Sequence, residues 1–174
     1  KNWLHPLIEN FKINPDVAII QPHILNQNKP NHFEYAGAAG GYIDKYGIPF
    51  CRGRIFNKIE EENGQYDEIE EIFWASGACF LIRSKVFWRL GGFDNDFFAH
   101  QEEIDLCWRA HNLNYKALAV GSSKVYHIGG STLPISPKKT YLNHRNSLIM
   151  IVKNVPNKKL YSILFFRLIL DGFI

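Results

Sequence analysis

The sequence predicts an α/β domain followed by C-terminal helices. Two observations carry that prediction. Short apolar runs of strand length, at residues 17–20, 115–120 and 124–128, are interspersed with segments of helical periodicity. After residue 134 only helical patterns remain, punctuated by prolines.

The elements follow in chain order. Trp3, Leu4, Leu7, Ile8 and Phe11 recur at helical spacing, and Pro15 and Asp16 end that segment. Val17, Ala18, Ile19 and Ile20 form a run suited to a buried strand. Residues 27–53, rich in Asn, Gly, Pro and Tyr, read as a long loop region, and the charge run at 60–63 as a solvated loop. Residues 73–83 are strand-like at their apolar end. Ser84 is placed to cap a short helix through Leu90 that Gly91 closes. Residues 102–112 read as a helix, and Gly121 and Ser122 separate the two strands that follow. Residues 134–137 read as a hinge, 138–153 as a helix stopped by Pro156, and 160–174 as a second, apolar helix.

Composition narrows the class. The chain has 174 residues, enough for a domain with a real core, and is 46% hydrophobic and 14% aromatic, which excludes disorder. A net charge of +3 is too small to imply nucleic acid. Its distribution is uneven: residues 1–114 hold 11 basic and 16 acidic side chains, residues 115–174 hold 9 and 1. A basic C-terminal end favours an anionic ligand or an anionic membrane surface there. It lacks the interleaved exposed aromatics and arginines of a nucleic-acid binder. Cys51, Cys79 and Cys107 are odd in number and widely spaced, so neither a zinc site nor a disulfide framework is expected. A reducing, cytoplasmic location fits them, and no apolar leader opens the chain.

The chemistry concentrates between residues 91 and 109. Gly91-Gly92-Phe93-Asp94 is followed by Phe97-Phe98-Ala99-His100-Gln101-Glu102-Glu103-Ile104-Asp105-Leu106-Cys107-Trp108-Arg109. Glu102 and Glu103 fall where a helix begins. Unpaired backbone N–H groups and the helix dipole stabilise carboxylate anions there. An ionised carboxylate at a cleft edge meets the requirement for a general base; an acidic cap on a surface helix is the plain alternative. Asp105 and Arg109, four apart, are spaced for a structural ion pair.

Ser76-Gly77-Ala78-Cys79-Phe80-Leu81-Ile82-Arg83 precedes this block, and Val125-Tyr126-His127-Ile128-Gly129-Gly130-Ser131 follows it. In this order the blocks resemble the C-terminal half of the catalytic domain of inverting GT-A glycosyltransferases of family 2. There the pattern runs G-A-x-x-L-I-R, G-G-F-D-x-x-F-F, E-D-x-D-L-C-x-R and V-x-H-x-G-G-S. The resemblance is dense from Trp74 to Ser131.

The resemblance implies the C-terminal part of a Rossmann-like GT-A fold with a mixed sheet. Residues 1–133 would be the acceptor and base side of the catalytic domain, and 134–174 a helical, membrane-associated segment. It implies single displacement from a nucleotide-sugar donor to a glycan or lipid-linked acceptor, in cell-surface polysaccharide synthesis at the inner face of the membrane. A divalent metal, Mn or Mg, would neutralise the diphosphate leaving group. Glu103 stands where the family has its catalytic Asp, and the pair here is Glu102-Glu103, which leaves the choice of base between the two.

His127 matches a histidine that in some members helps bind metal or diphosphate; a structural histidine is the equal alternative. Trp74, Ser76 and Gly77 match the segment lining the donor and acceptor cleft, with a core Trp as the alternative. Arg145 resembles a basic position near the diphosphate or acceptor, or is an ordinary helix arginine. Gly129, Gly130 and Ser131 suit close backbone approach to a phosphate, or a simple turn. The family's D-x-D metal motif and nucleotide-binding units are expected upstream, so the chain reads as part of a longer enzyme. A non-catalytic carbohydrate-binding or scaffold module is the competing class.

Overall fold

The computed structural model describes residues 2–129 and 136–172. Helix α1 (Leu4–Ile13) leads into the long strand β1 (Val17–Asn26). Six short strands follow: β2 (Lys29–Phe33), β3 (Gly41–Ile43), β4 (Pro49–Cys51), β5 (Arg54–Ile55), β6 (Lys58–Ile59) and β7 (Ile69–Ile72). Then come β8 (Leu81–Ile82), α2 (Ser84–Arg89), α3 (Glu102–Asn112), β9 (Lys116–His127), α4 (Pro137–Asn154) and α5 (Asn157–Asp171).

The principal sheet runs β2-β1-β9-β7, with β8 also paired to β1. β1 and β9 are parallel, while β2 and β8 on β1 and β7 on β9 are antiparallel. The sheet is mixed, as expected. Burial of β1 on both faces explains its unbroken apolar start. Along β9, Leu118 and Val120 face α1, where Leu7 meets Val17 and Ile20. Ala117 and Ala119 face the opposite layer, packing with Ile19, Ile72, Val86, Ile104, Cys107, Ala110 and Met150. A register irregularity between Val17 and Ile19 turns Val17 and Ile20 to one face despite their odd spacing. α4 shares this core through Met150. The expected domain boundary near residue 134 lies outside the described residues.

Several elements differ from their sequence expectation. β1 runs six residues past Ile20, through Pro22. Proline is tolerated because β8 pairs at residues 19–20 and β2 at 25–26, leaving that edge free at Pro22. Residues 27–53 are not one loop; they hold β2 and the β3–β4 hairpin, whose short strands carry no apolar run for periodicity to find. The two strands expected around Gly121 are one strand, β9. Its register against β1 jumps from Val120 to Lys124, so residues 121–123 bulge without ending it. Ser84 is the first helical residue of α2, not its cap. The cap position belongs to Arg83, whose guanidinium reaches back to the carbonyls of Phe11, Asn14 and Val17. It thereby satisfies carbonyls at the C-terminal end of α1.

Helix α5 is inverted relative to an ordinary surface helix. Its arginine, Arg167, is buried and pairs with Asp171 at 3.1 Å. Tyr161, Phe165, Phe166, Leu168, Ile169 and Leu170 are exposed. No helix among the described residues is long and apolar enough to cross a membrane.

Candidate active site

The segment before α3 is wound tightly. Phe98, His100 and Gln101 all have positive φ, at 61°, 71° and 68°. For non-glycine residues that is a cost met by surrounding structure, and such costs gather at functional sites. The surrounding structure is α4. The Asn146 side-chain amide donates to the carbonyls of Phe97, Ala99 and His100 at 2.9, 2.7 and 2.7 Å. Arg145 donates to the carbonyls of Asp96 and Phe97, and Gln101 Nε2 to the carbonyl of Asn143.

This clamp delivers Glu102 and Glu103 to the first turn of α3. Glu103 retains partial exposure as a residue, yet its carboxyl is enclosed: Oε2 is buried and has no hydrogen-bond partner among the described residues. Burial, with the negative charge of Glu102 beside it, pushes the Glu103 carboxyl up to about 7. The backbone amides of Glu103, Gly77 and Ile104 oppose that rise without cancelling it. Gly77 packs directly on this carboxyl; a Cβ there would sit 3.6 Å from Glu103 Cδ. Glu102 Oε2 is also buried and unpartnered, and Glu102 lines a cavity of about 360 Å³ with Phe93, Asp94, Asn95 and Phe98. The cavity therefore lies against Glu102, and Glu103 does not line it.

Asp105 and Arg109 form the expected pair, at 2.8 Å. Asp105 is fully buried, and it also accepts from Lys153 at 3.1 Å and from Asn154 at 2.8 Å. Arg109 continues to the carbonyls of Leu90 and Gly92 at 2.6 and 2.9 Å. It holds the glycine turn at Gly91 and Gly92, where φ is 80° and 71°. Lys153 reaches Asp94 as well, at 2.6 Å. The two sequence blocks that flank the loop are thus tied to each other and to α4.

The remaining candidates divide. Trp74 is buried, donates from Nε1 to the carbonyl of Tyr42 at 2.8 Å, and lies flat against Gly41, where any side chain would collide with it. Ser76 is buried, with its amide on Gln21 Oε1 at 2.7 Å, and so fixes the approach of Gly77 to Glu103. His127 ends β9, and its contact is with Glu34 rather than with the two glutamates. Nδ1 lies 4.0 Å from the buried carboxylate of Glu34, while the ring keeps partial exposure. Gly129 rests on that same carboxylate, leaving no room for a Cβ. At 4.0 Å the contact of His127 with Glu34 is too long for a hydrogen bond, and Nδ1 is buried with no hydrogen-bond partner among the described residues. Gly130 and Ser131 lie outside the described residues.

The sequence reading passed over Asn146, Asn154, Gln21 and Glu34. A signal existed for two of them. Residues 142, 146, 150 and 154 form one stripe of α4, and asparagine, a poor helix former, occupies two of its inward positions.

No family model matches the chain. A mycobacterial N-acetylglucosaminyl-diphospho-decaprenol L-rhamnosyltransferase (Mycobacterium tuberculosis) is 31% identical over 74 residues, 42% of this chain and 24% of that protein. The rhamnosyltransferase WbbL of Escherichia coli K12 is 36% identical over 62 residues, 36% of this chain and 23% of that protein. The low-salt glycan biosynthesis hexosyltransferase Agl10 of Haloferax volcanii is 28% identical over 100 residues, 56% of this chain and 28% of that protein. A crystal structure of GalNAc-T7 with UDP, GalNAc and Mn2+ superposes with a TM-score of 0.57 at 19% identity, covering 86% of this chain and 28% of that one. The fold is that of a GT-A glycosyltransferase domain. The chain spans about a quarter of the length of the relatives it matches. They are glycosyltransferases, in accord with the resemblance read from the motif blocks.

Proposed function

We propose that this chain is the acceptor and base side of an inverting, nucleotide-sugar-dependent glycosyltransferase of glycan or polysaccharide synthesis. One observation carries the reading: the Glu103 carboxyl, enclosed at the start of α3 against Gly77, with an unpartnered oxygen and a protonation midpoint near neutrality. A general base works best when its pKa lies near the operating pH. The cavity lined by Phe93, Asp94, Asn95, Phe98 and Glu102 gives an acceptor sugar two aromatic surfaces and polar partners.

In this reading Glu103 takes the proton of an acceptor hydroxyl. The hydroxyl oxygen bonds to the anomeric carbon from the face opposite the leaving group. The bond from that carbon to the diphosphate oxygen breaks, and its electron pair leaves with the nucleoside diphosphate. Configuration inverts. Glu102 bounds the acceptor side and is the alternative base. Gly77, Ser76 and Trp74 shape the wall behind the carboxyl.

His127, at the end of β9 with its ring partly open to solvent, is the residue the resemblance offers for holding a divalent metal, which when bound would supply charge neutralisation for the departing diphosphate. Arg145 acts from behind, bracing the loop that carries the base. The donor would be a nucleotide sugar and the acceptor a lipid-linked glycan, met at the cytoplasmic face of the membrane.

In the full-length enzyme, Glu103→Gln should lower kcat by at least ~100-fold while nucleotide affinity holds, because the base faces the acceptor. Loss of activity in Glu102→Gln with Glu103→Gln still active would transfer the role to Glu102. Product with retained anomeric configuration by NMR would refute single displacement.

A further inference from the structure

A cluster of metal-ligating side chains lies on the β1–β9 seam. His23 and Lys124 are register partners immediately after the β9 bulge. His23 is fully buried, and neither Nδ1 nor Nε2 has a hydrogen-bond partner among the described residues. A buried polar atom left unpaired costs about 1–3 kcal/mol, and a neutral imidazole here leaves both a donor and an acceptor unmatched. One ring nitrogen of His23, one carboxylate oxygen of Glu62 and one of Asp67 all lie within 4.8 Å of one another.

We propose that His23, Glu62 and Asp67 form a binding site for a divalent transition-metal ion of the zinc class, for which Lys124 is the competing internal cation. Lys124 Nζ sits 2.7 Å from Glu62 and 3.4 Å from Asp67. It pairs with both carboxylates and leaves the imidazole unpartnered. A metal ion is matched to all three: imidazole nitrogen and carboxylate oxygen suit zinc, and water fills the remaining position. An imidazole in the set disfavours Mg2+ and Ca2+, which take oxygen.

The scaffold is pre-set. Gly121, in the bulge, packs directly under Tyr66 and Asp67, with no room for a Cβ. Glu62 is anchored through its amide to Asn31 at 2.8 Å and accepts from the Gly64 amide at 2.9 Å. Asp67 is half open to solvent, with 54% side-chain exposure, which gives an ion a way in.

The test is calorimetric titration of the full chain with Zn2+, with Co2+ absorption as a report of ligand type. His127→Ala is included in every protein, so that the histidine at the end of β9 contributes nothing. Lys124→Met removes the competitor and should bind one equivalent of Zn2+ at least about tenfold more tightly than its parent, with a Co2+ spectrum of nitrogen and oxygen ligation. Asp67→Asn, at a half-exposed position, should weaken binding at least about tenfold, as should His23→Phe, which keeps the ring volume. If His23→Phe fails to fold, Asp67→Asn decides. The proposal is overturned if Lys124→Met binds Zn2+ no more tightly than its parent, or if binding survives Asp67→Asn unchanged. In either case Lys124 is simply the permanent partner of two carboxylates.

Discussion

The side-chain amide of Asn146 donates to the carbonyl of His100 at 2.7 Å, joining the inner stripe of α4 to a turn in which Phe98, His100 and Gln101 have positive φ. The same amide serves Phe97 and Ala99. Without it, the carbonyls of Ala99 and His100 lose this donor, and Arg145 alone remains on Phe97. Asn146→Ala should cost about 2 kcal/mol, the scale for leaving buried groups unpaired. The loss of transfer activity in the full-length enzyme should exceed what unfolding explains, because the turn sets the reach of Glu103. Thermal melts alongside kcat and KM at a temperature where the variant is folded decide the matter. A destabilised variant with unaltered kcat would reduce Asn146 to a packing residue.

Asp105 poses a different question, of stability rather than rate. It is fully buried, and Arg109, Lys153 and Asn154 all spend hydrogen bonds on it. Removing one partner of a buried ion pair strands the other, at about 3–5 kcal/mol. Asp105→Ala should therefore be among the most damaging single changes in the chain, and urea unfolding should show it. Lys153→Met should cost much less, since Arg109 and Asn154 still hold Asp105. Equal losses for the two variants would mean that Lys153, not Arg109, is the principal partner.

In the proposed role of general base, Glu103 would link function to stability with opposite signs. Its folded midpoint, about 7, lies above the ordinary 4.5. Between those values the folded chain holds a proton that the unfolded chain has released. Stability therefore falls as pH rises through this window and levels off above it, by a total of about 3 kcal/mol. Activity runs the other way: kcat/KM should rise with pH through about 7 as the base ionises. In Glu103→Gln both dependences should vanish. The variant should gain on the parent between about pH 5 and pH 8 in denaturant titrations. A parent whose stability climbs over that range would show that Glu103 is not a desolvated acid.

The sequence made the ends of this site legible and left its middle hidden, for physical reasons. Acidic residues in a first helical turn and an i, i+4 pair are local patterns, so α3 and the Asp105–Arg109 bridge were readable from spacing. The motif blocks pointed to the fold, yet the work of their residues is long-range. Arg83 finishes a helix some seventy positions away, and Arg109 pins the glycine turn. Neither bond has a local signature. The charge run at 60–63 shows the same limit. Glu62 reads as solvated, but its partner Lys124 is brought across the sheet by a bulge that no periodicity announces. The β9 bulge itself was mistaken for a break, since Gly121 and Ser122 look alike in a turn and in a bulge.

Helix α5 carries the last prediction. An apolar segment interrupted by Arg167 and Asp171 reads, as sequence, too short and too charged to span a bilayer but suited to a membrane surface. The fold turns both charges inward: Arg167 is buried on Asp171 and on the carbonyl of Gly47. What remains outside is aromatic and aliphatic, with Phe165 62% and Leu168 67% exposed. Lys158 and Lys159 stand at its first turn, and Lys159 lines a hollow with Lys45, Tyr46 and Phe166. Lysines beside an exposed apolar helix favour an anionic lipid surface, by roughly 1 kcal/mol each. The full-length protein should float with liposomes containing phosphatidylglycerol, less with neutral ones, and less again at high salt. Phe165→Ser with Leu168→Ser should weaken flotation without lowering the melting temperature, since neither side chain packs inside. Lys158→Glu with Lys159→Glu should abolish the lipid-charge dependence alone. Equal recovery of all variants in the unbound fraction would leave the exposed face of α5 to another protein surface.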